Sequence, residues 1–242
     1  MSEVRQAGPR RPVRDDARRD VESGGSQLNE RELRQSVLET VARLEAKGFN
    51  HGSSGNVSCR IGEDVLITPT GGNSGNTTID GLVHLKRNGT VVGDGLPSSE
   101  WHMHLAILNA YPHVNAVVHT HADCCVALSS LAKPIPAFHY MIASFGGNDV
   151  PCAPYATFGT RALADGAVAA LKQRKACLLA NHGMIAVGKG LQAAFDLTVK
   201  LETLARQYLL ACQAGAPAIL ADDEMARVVE RYGSYGRAAL PA

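Results

Sequence analysis

Between Asn29 and Lys47 the apolar residues Leu33, Val37, Val41 and Leu44 recur at three- and four-residue intervals, the period of one helix face, and Gly48 supplies the stop. A turn rich in glycine and serine, His51-Gly52-Ser53-Ser54-Gly55-Asn56, then leads into Val57-Ser58-Cys59-Arg60, which alternates as a strand does. Asp64–Thr68 is a second short strand, and Val83–Leu85 and Thr90–Val92 flank Asn88-Gly89 as a hairpin. Pro97-Ser98-Ser99-Glu100 opens a helix with Trp101, Leu105 and Leu108 on one side; Ser98 or Ser99 is its expected N-cap, and it ends near Tyr111-Pro112. Ala116–His121 is a buried strand running into a helix over Ala122–Ser130. Ala162–Gln173 is helical, Ala176–Ala180 and Met184–Val187 are strands, and Leu191–Ala214 is a long helix. Short strands among helices without regular βαβ repetition predict a three-layer α/β/α domain with a largely antiparallel central sheet.

Composition narrows the class. Of 242 residues, 45% are hydrophobic and 19% charged, the balance of a chain with a packed core. The formal net charge of +1 gives no reason to expect nucleic acid or a membrane surface as partner. Apolar runs such as Ala176–Ala180 are far too short to cross a bilayer. Six cysteines without a CxxC pair read as reduced thiols, which points to the cytoplasm. Residues 1–27 mix arginines with acidic residues and end in Ser23-Gly24-Gly25-Ser26; they read as a flexible tail ahead of one domain over 28–242.

The chemistry starts with histidine. His51, His84 and His113 sit at loops or element ends and read as solvated. His102 and His104 lie two apart on a helix, about 200° around its axis, and cannot both face one ion. His119 and His121 are two apart on a strand, so their rings project from one face, and the apolar Ala116-Val117-Val118 would hold them stiffly. Such a pair suits Zn²⁺, which needs a third ligand. The candidate is His182, after another apolar strand and followed by Gly183, a residue expected to let the chain turn sharply and to leave room beside an ion.

Three further segments, Ser53–Asn56, Thr68-Pro69-Thr70-Gly71 and Ser98-Ser99, carry hydroxyls, an amide and glycines. Brought together by the fold, their side chains and backbone N–H groups would form an anion site that needs no lysine. Each alone reads first as a turn or a cap. Glu100, beside the serines, could serve a metal-bound substrate as a base or simply partner the helix dipole.

Taken in order, Gly55-Asn56-Val57-Ser58, Ile67–Gly71, Leu96–Trp101, Ala116–His121, Ile135–Ala143, Pro151–Thr160 and Leu178–Gly183 resemble the class II aldolase/adducin family from about Asn29 onward. The resemblance implies that His119, His121 and His182 bind one Zn²⁺ per subunit, with Glu100 beside the metal as ligand and catalytic acid/base. It implies that Ser53, Gly55, Asn56, Thr70, Gly71, Ser98 and Ser99 receive the phosphate of a ketose 1-phosphate. Tyr140 resembles the tyrosine that assists proton transfer at the aldehyde oxygen. Tyr235 resembles a tail tyrosine that reaches a neighbouring subunit's site in a homotetramer.

The activity implied is reversible cleavage of an L-fuculose 1-phosphate-like ketose to dihydroxyacetone phosphate and an aldehyde. Relatives acting on 5-deoxypentulose or methylthioribulose 1-phosphates, and pentulose-phosphate 4-epimerases, are alternatives; the epimerases usually carry aspartate where Glu100 stands. An adducin-like structural module is the non-enzymatic alternative, and it lacks the zinc histidines. The chain departs from the family pattern at Gly72–Asn76, at Ser53 in place of threonine, and at Asn181 in place of histidine.

Overall fold

Asn29 caps α1 (Glu30–Ala46). Its side chain accepts a hydrogen bond from the Glu32 backbone N–H, and the Glu32 carboxylate accepts one from the Asn29 N–H, both at 3.0 Å. The computed structural model describes residues 29–234; the arginine-rich segment 1–27 and Tyr235 lie outside the described residues. Beyond α1 come β1 (Asn56–Ile61), β2 (Asp64–Ile67), β3 (Val83–Leu85), β4 (Val91–Val92), α2 (Trp101–Ala110), β5 (Ala116–Thr120) and α3 (Asp123–Ser129). The second half runs β6 (Ile135–Pro136), a 3₁₀ turn (Tyr140–Phe145), β7 (Asp149–Val150), β8 (Cys152–Ala153), α4 (Arg161–Ala170), β9 (Ala176–Leu179), β10 (Gly183–Gly188), α5 (Leu191–Ala214) and α6 (Asp222–Ser234).

Eight strands form one sheet in the order β4-β3-β2-β1-β5-β10-β9-β8, and β6 pairs with β7 apart from it. Neighbours in the large sheet are antiparallel except β8 and β9. Because both faces are covered, the central strands are apolar without a polar side. On one face Ile67, Val117, Leu179 and Ile185 pack with Met103, Ile107 and Leu108 of α2 and Leu163 of α4. On the other, Val57, Leu66 and Val118 meet Val37 and Leu44 of α1 and Phe195 of α5, while Leu178 and Met184 meet Cys125 of α3 and Leu201 of α5. The expected three-layer arrangement is therefore present.

Two expectations need correction. The cap of α2 is Glu100 rather than Ser98 or Ser99, and its side chain makes no capping hydrogen bond. Ser98 is pinned to the end of β2 by its N–H to Thr68 O at 3.0 Å, so the helix starts later. The elements from β6 to β8, the 3₁₀ turn and α6 were not expected: two-residue strands carry too few positions for a period, and α6 opens on Asp222, Asp223 and Glu224.

All six cysteines are free. Burial pushes the Cys59 thiol up to about 12 and raises Cys125 and Cys177 as well, so these are packing residues rather than nucleophiles. Among the described residues no helix is long and apolar enough to cross a membrane.

Candidate active site and metal centre

The sheet's register sets the site. His119 on β5 stands opposite Asn56 on β1 and opposite Ile185 on β10. Being two residues beyond Val117, it points to the α2 side of the sheet. It is fully buried, and its Nδ1–H donates to Met184 O at 2.9 Å, which leaves the Nε2 lone pair facing inward. His121 follows just past the strand end with its Nε2 3.0 Å from that of His119. His182 arrives on the turn between β9 and β10, and the three ring centroids are 4.8 to 5.0 Å apart. Glu100 completes the group: Oε2 lies 3.0 Å from His119 Nε2 and Oε1 lies 3.4 Å from His182 Nε2.

One ligand atom from each of the four residues lies within 4.8 Å of the others. A tetrahedral shell with bonds of about 2.05 Å places its donors about 3.3 Å apart, close to the 3.0 Å between His119 and His121 and the 3.0 and 3.4 Å from Glu100 to His119 and His182. Glu100 Oε1 is buried and accepts no hydrogen bond among the described residues, an arrangement that costs free energy unless a cation faces it. Burial, reinforced by His119, pushes His121 and His182 down to about 4, so both rings are neutral near pH 7 and offer lone pairs. For Glu100, burial favours the protonated acid, but His119, His182 and the Asn56 amide outweigh it. The carboxyl is held well below the usual range. Neutral imidazoles beside a carboxylate fit a divalent cation of the zinc type.

Gly183 contributes differently from expectation. The sharp turn is made by Asn181 at φ +55°, not by Gly183. A Cβ on Gly183 would lie 2.5 Å from Thr120 O and 3.1 Å from His121 Cδ2; the absent side chain lets β10 approach β5 beside the rings.

Glu100, His121 and His182 form the floor of a cavity of about 350 Å³, with His119 fully buried behind them. Its walls include Ser53, Gly55, Asn56, Thr70, Gly71, Ser98 and Ser99, so the fold brings all seven of the expected anion-site residues together. The three segments are tied by Thr70 N–H to Leu96 O at 3.0 Å, Val57 N–H to Thr68 Oγ1 at 3.2 Å, and the bridge between Pro69 and Pro97. Gly55 sits at φ +76°, where a Cβ would collide with the Asn50 side chain at 2.2 Å. Among the described residues, no lysine or arginine lines it.

Tyr140 does not line this cavity. It opens the 3₁₀ turn, half-exposed, with its ring stacked on His139. Four contributors escaped the sequence reading. Tyr155 and Phe158, 65% and 66% exposed, stand at the cavity mouth, and only their place in an ordered motif hinted at a role. Glu202 of α5 accepts the Cys124 and Cys125 N–H groups at 2.8 and 2.9 Å, anchoring the start of α3 just behind His121. His104 is fully buried between Ser58 and Asn56. His84 also differs from expectation: it is partly buried and paired with Asp64 at 2.9 Å rather than solvated.

An α/β/α fold with a three-histidine, one-carboxylate cluster able to hold a metal ion, under a cleft lined by hydroxyls and amides, is the arrangement expected of the class II aldolase type. Residues 35–209 match the family described as Class II Aldolase and Adducin N-terminal domain, and the chain belongs to that family. It is 46% identical to the 5-methylthioribulose-1-phosphate/5-deoxyribulose-1-phosphate aldolase of Rhodospirillum rubrum over 211 residues, 87% of this chain and 96% of that one. It is 44% identical to the L-fuculose phosphate aldolase of Escherichia coli K12 over 210 residues, 86% of this chain and 98% of that one. Among solved structures, an L-fuculose 1-phosphate aldolase matches with a TM-score of 0.81 at 36% identity, covering 84% of this chain and 96% of that one.

Proposed function

We propose that this protein is a zinc-dependent aldolase that reversibly cleaves a ketose 1-phosphate of the L-fuculose 1-phosphate type to dihydroxyacetone phosphate and an aldehyde. One observation carries the reading: three imidazoles and the Glu100 carboxylate converge beneath a cleft walled by hydroxyls and backbone amides. Bound by His119, His121, His182 and Glu100, zinc supplies Lewis-acid stabilisation of the charge that builds on the ketose oxygens.

The chain's own residues do the rest. Ser53, Gly55, Asn56, Thr70, Gly71, Ser98 and Ser99 seat the phosphate through neutral donors and so fix the reacting carbons over the floor. In the condensation direction Glu100, ionised at neutral pH, takes a proton from the hydroxymethyl carbon of dihydroxyacetone phosphate. That carbon forms its new bond to the aldehyde carbon, and Tyr140 gives a proton to the aldehyde oxygen; cleavage runs the same steps backward. Tyr140 lies outside the cavity of its own chain, so this role requires a second copy to deliver it, in keeping with a homotetramer in which Tyr235 also reaches across. Six free cysteines support a cytoplasmic location.

A second reading, a 5-deoxyribulose or 5-methylthioribulose 1-phosphate aldolase, is favoured by the apolar rings of Tyr155 and Phe158 at the mouth and by the Rhodospirillum rubrum relative. The test is release of dihydroxyacetone phosphate from each of the three ketose phosphates by zinc-loaded protein. Solvent deuterium exchange into dihydroxyacetone phosphate is measured alongside. Exchange with preferential cleavage of L-fuculose 1-phosphate is expected; no exchange refutes the aldolase reading, and preference for a 5-deoxy or thioether substrate replaces the first reading with the second.

A further inference from the structure

From Asn56 in the cavity wall a buried polar chain runs back through His104 to Ser58, two residues that the proposed chemistry does not use. Asn56 Nδ2 donates to Glu100 Oε2 at 3.2 Å. Asn56 Oδ1 lies 2.5 Å from His104 Nε2, and His104 Nδ1 lies 2.7 Å from Ser58 Oγ. Ser58 and His104 are fully buried, and neither lines the cavity.

The direction of every hydrogen bond in this chain follows from one end. A carboxylate only accepts, so the Asn56 amide must turn its NH₂ toward Glu100 and its oxygen toward His104. The nitrogen facing that oxygen must then carry a proton. Burial keeps the His104 ring neutral, pushing it down to about 3, so its other nitrogen accepts from the Ser58 hydroxyl. With sequence separations of 44, 46 and 48 residues, these three contacts tie β1 to the start of α2 at the level of the site.

We propose that His104 is a positioning residue for Glu100: as its Nε2–H tautomer, set by Ser58, it fixes the Asn56 amide in the orientation that donates to Glu100 Oε2. Oε2 is thereby held between the Asn56 amide and His119 Nε2, which fixes the carboxylate plane and turns Oε1, without a hydrogen-bond partner among the described residues, toward His182 and the cavity. The role rests on the aldolase reading for its effect on turnover, whereas the tautomer itself does not. A neutral histidine aimed at an amide oxygen needs no catalytic role to be detected.

The test compares His104→Gln, which retains an amide N–H at about the reach of Nε2, with His104→Leu, which has no donor. The zinc-loaded full chain is used throughout. Measured are zinc per chain, thermal midpoint, kcat and KM for cleavage, and deuterium exchange into dihydroxyacetone phosphate. Each rate is taken per folded, zinc-loaded chain. Loss of a supporting partner behind a metal-site ligand costs about 10- to 100-fold in activity. His104→Leu is therefore expected to lose about that much in kcat and in exchange, with KM within about threefold and zinc retained, while His104→Gln recovers most of both. Equal rates in His104→Leu and the unaltered protein overturn the proposal, as does equal loss in both variants, or loss of zinc as the cause of lost activity.

Nitrogen-15 correlation spectra of the histidine rings, recorded without substrate, supply the arm that is independent of catalysis. A proton on Nε2 of His104 from pH 5 to 8 is expected, and a proton on Nδ1 overturns the proposal whether or not the protein is an aldolase. Absence of exchange in the unaltered protein, with the Nε2–H tautomer present, instead counts against the aldolase reading alone.

Discussion

A methyl group on Gly183 would come within 2.5 Å of the Thr120 carbonyl oxygen, so the strand that delivers His182 can lie against the strand that delivers His119 and His121 only because residue 183 has no side chain. The contact is with backbone on a central strand, which cannot swing aside. Gly183→Ala should therefore cost about 1–3 kcal/mol from overpacking and lower the thermal midpoint by several degrees. It should also weaken zinc binding at least about tenfold by moving the rings apart. Thermal melts and metal titration check both; an unchanged midpoint with unchanged affinity would show that the strands have room.

The histidine environments set a pH dependence for the metal-free protein. An unfolded histidine titrates near ~6.5, whereas His121 and His182 are held at about 4 and His104 at about 3. Between those values the unfolded chain binds more protons than the folded one, so stability falls as pH falls. The depressed carboxyl of Glu100 acts in the same direction at lower pH. Metal-free protein should thus be fully stable above pH ~6.5 and lose on the order of several kcal/mol as pH drops toward ~4. Zinc should move that loss to lower pH, because the ion competes with protons for the same lone pairs. Urea midpoints against pH, with and without zinc, measure the two curves; superposable curves would mean the ion does not sit on these rings.

Tyr155 and Phe158 are mostly exposed and support little of the core. Phe158→Ala should leave the thermal midpoint within about a degree or two, as surface changes do. It should shift the discrimination between aldehydes carrying an apolar end and those carrying a hydroxyl by about 10-fold, the scale of one lost apolar contact. The measurement is condensation kinetics with paired aldehydes and dihydroxyacetone phosphate held constant. An unaltered ratio would place the aldehyde elsewhere in the cleft.

If a second copy delivers Tyr140, two inactive variants can repair one another. Tyr140→Phe and Glu100→Gln should each lose about 10²- to 10⁴-fold alone, the range of a lost general acid or base. Co-refolded mixtures should regain a substantial fraction of activity, since some sites then combine an intact Glu100 with an intact Tyr140. Mixtures as inactive as their components would confine both residues to one chain.

The parts of this site that could be seen in the sequence are those whose spacing is local. His119 and His121 share a face because a strand repeats every two residues, and Ala116-Val117-Val118 marks that strand as buried. The central helices and strands were legible for the same reason, each carrying enough apolar positions to establish a period. What could not be read is set by register between distant segments. Nothing near Asn56 says that it will face His119, or that His104, on a helix that otherwise reads as ordinary packing, will reach back to it. Glu100 illustrates the middle case: its neighbourhood suggested a helix start, but only the tie from Ser98 to Thr68 makes it the cap and turns it toward the imidazoles.

The pairing of Asn56 with His119 also says where this chain can tolerate a change of length. Removing one residue from β1 would reverse its two faces, swinging Asn56 into the apolar layer beneath α1 and Val57 into the cleft. The same deletion in the glycine- and asparagine-rich bend at 72–76, which carries no ladder and directly follows the cavity-lining Thr70 and Gly71, would leave the pairing of the strands unchanged. New substrate preferences in this architecture are therefore expected to arise from bends that grow and shrink around strands of fixed count.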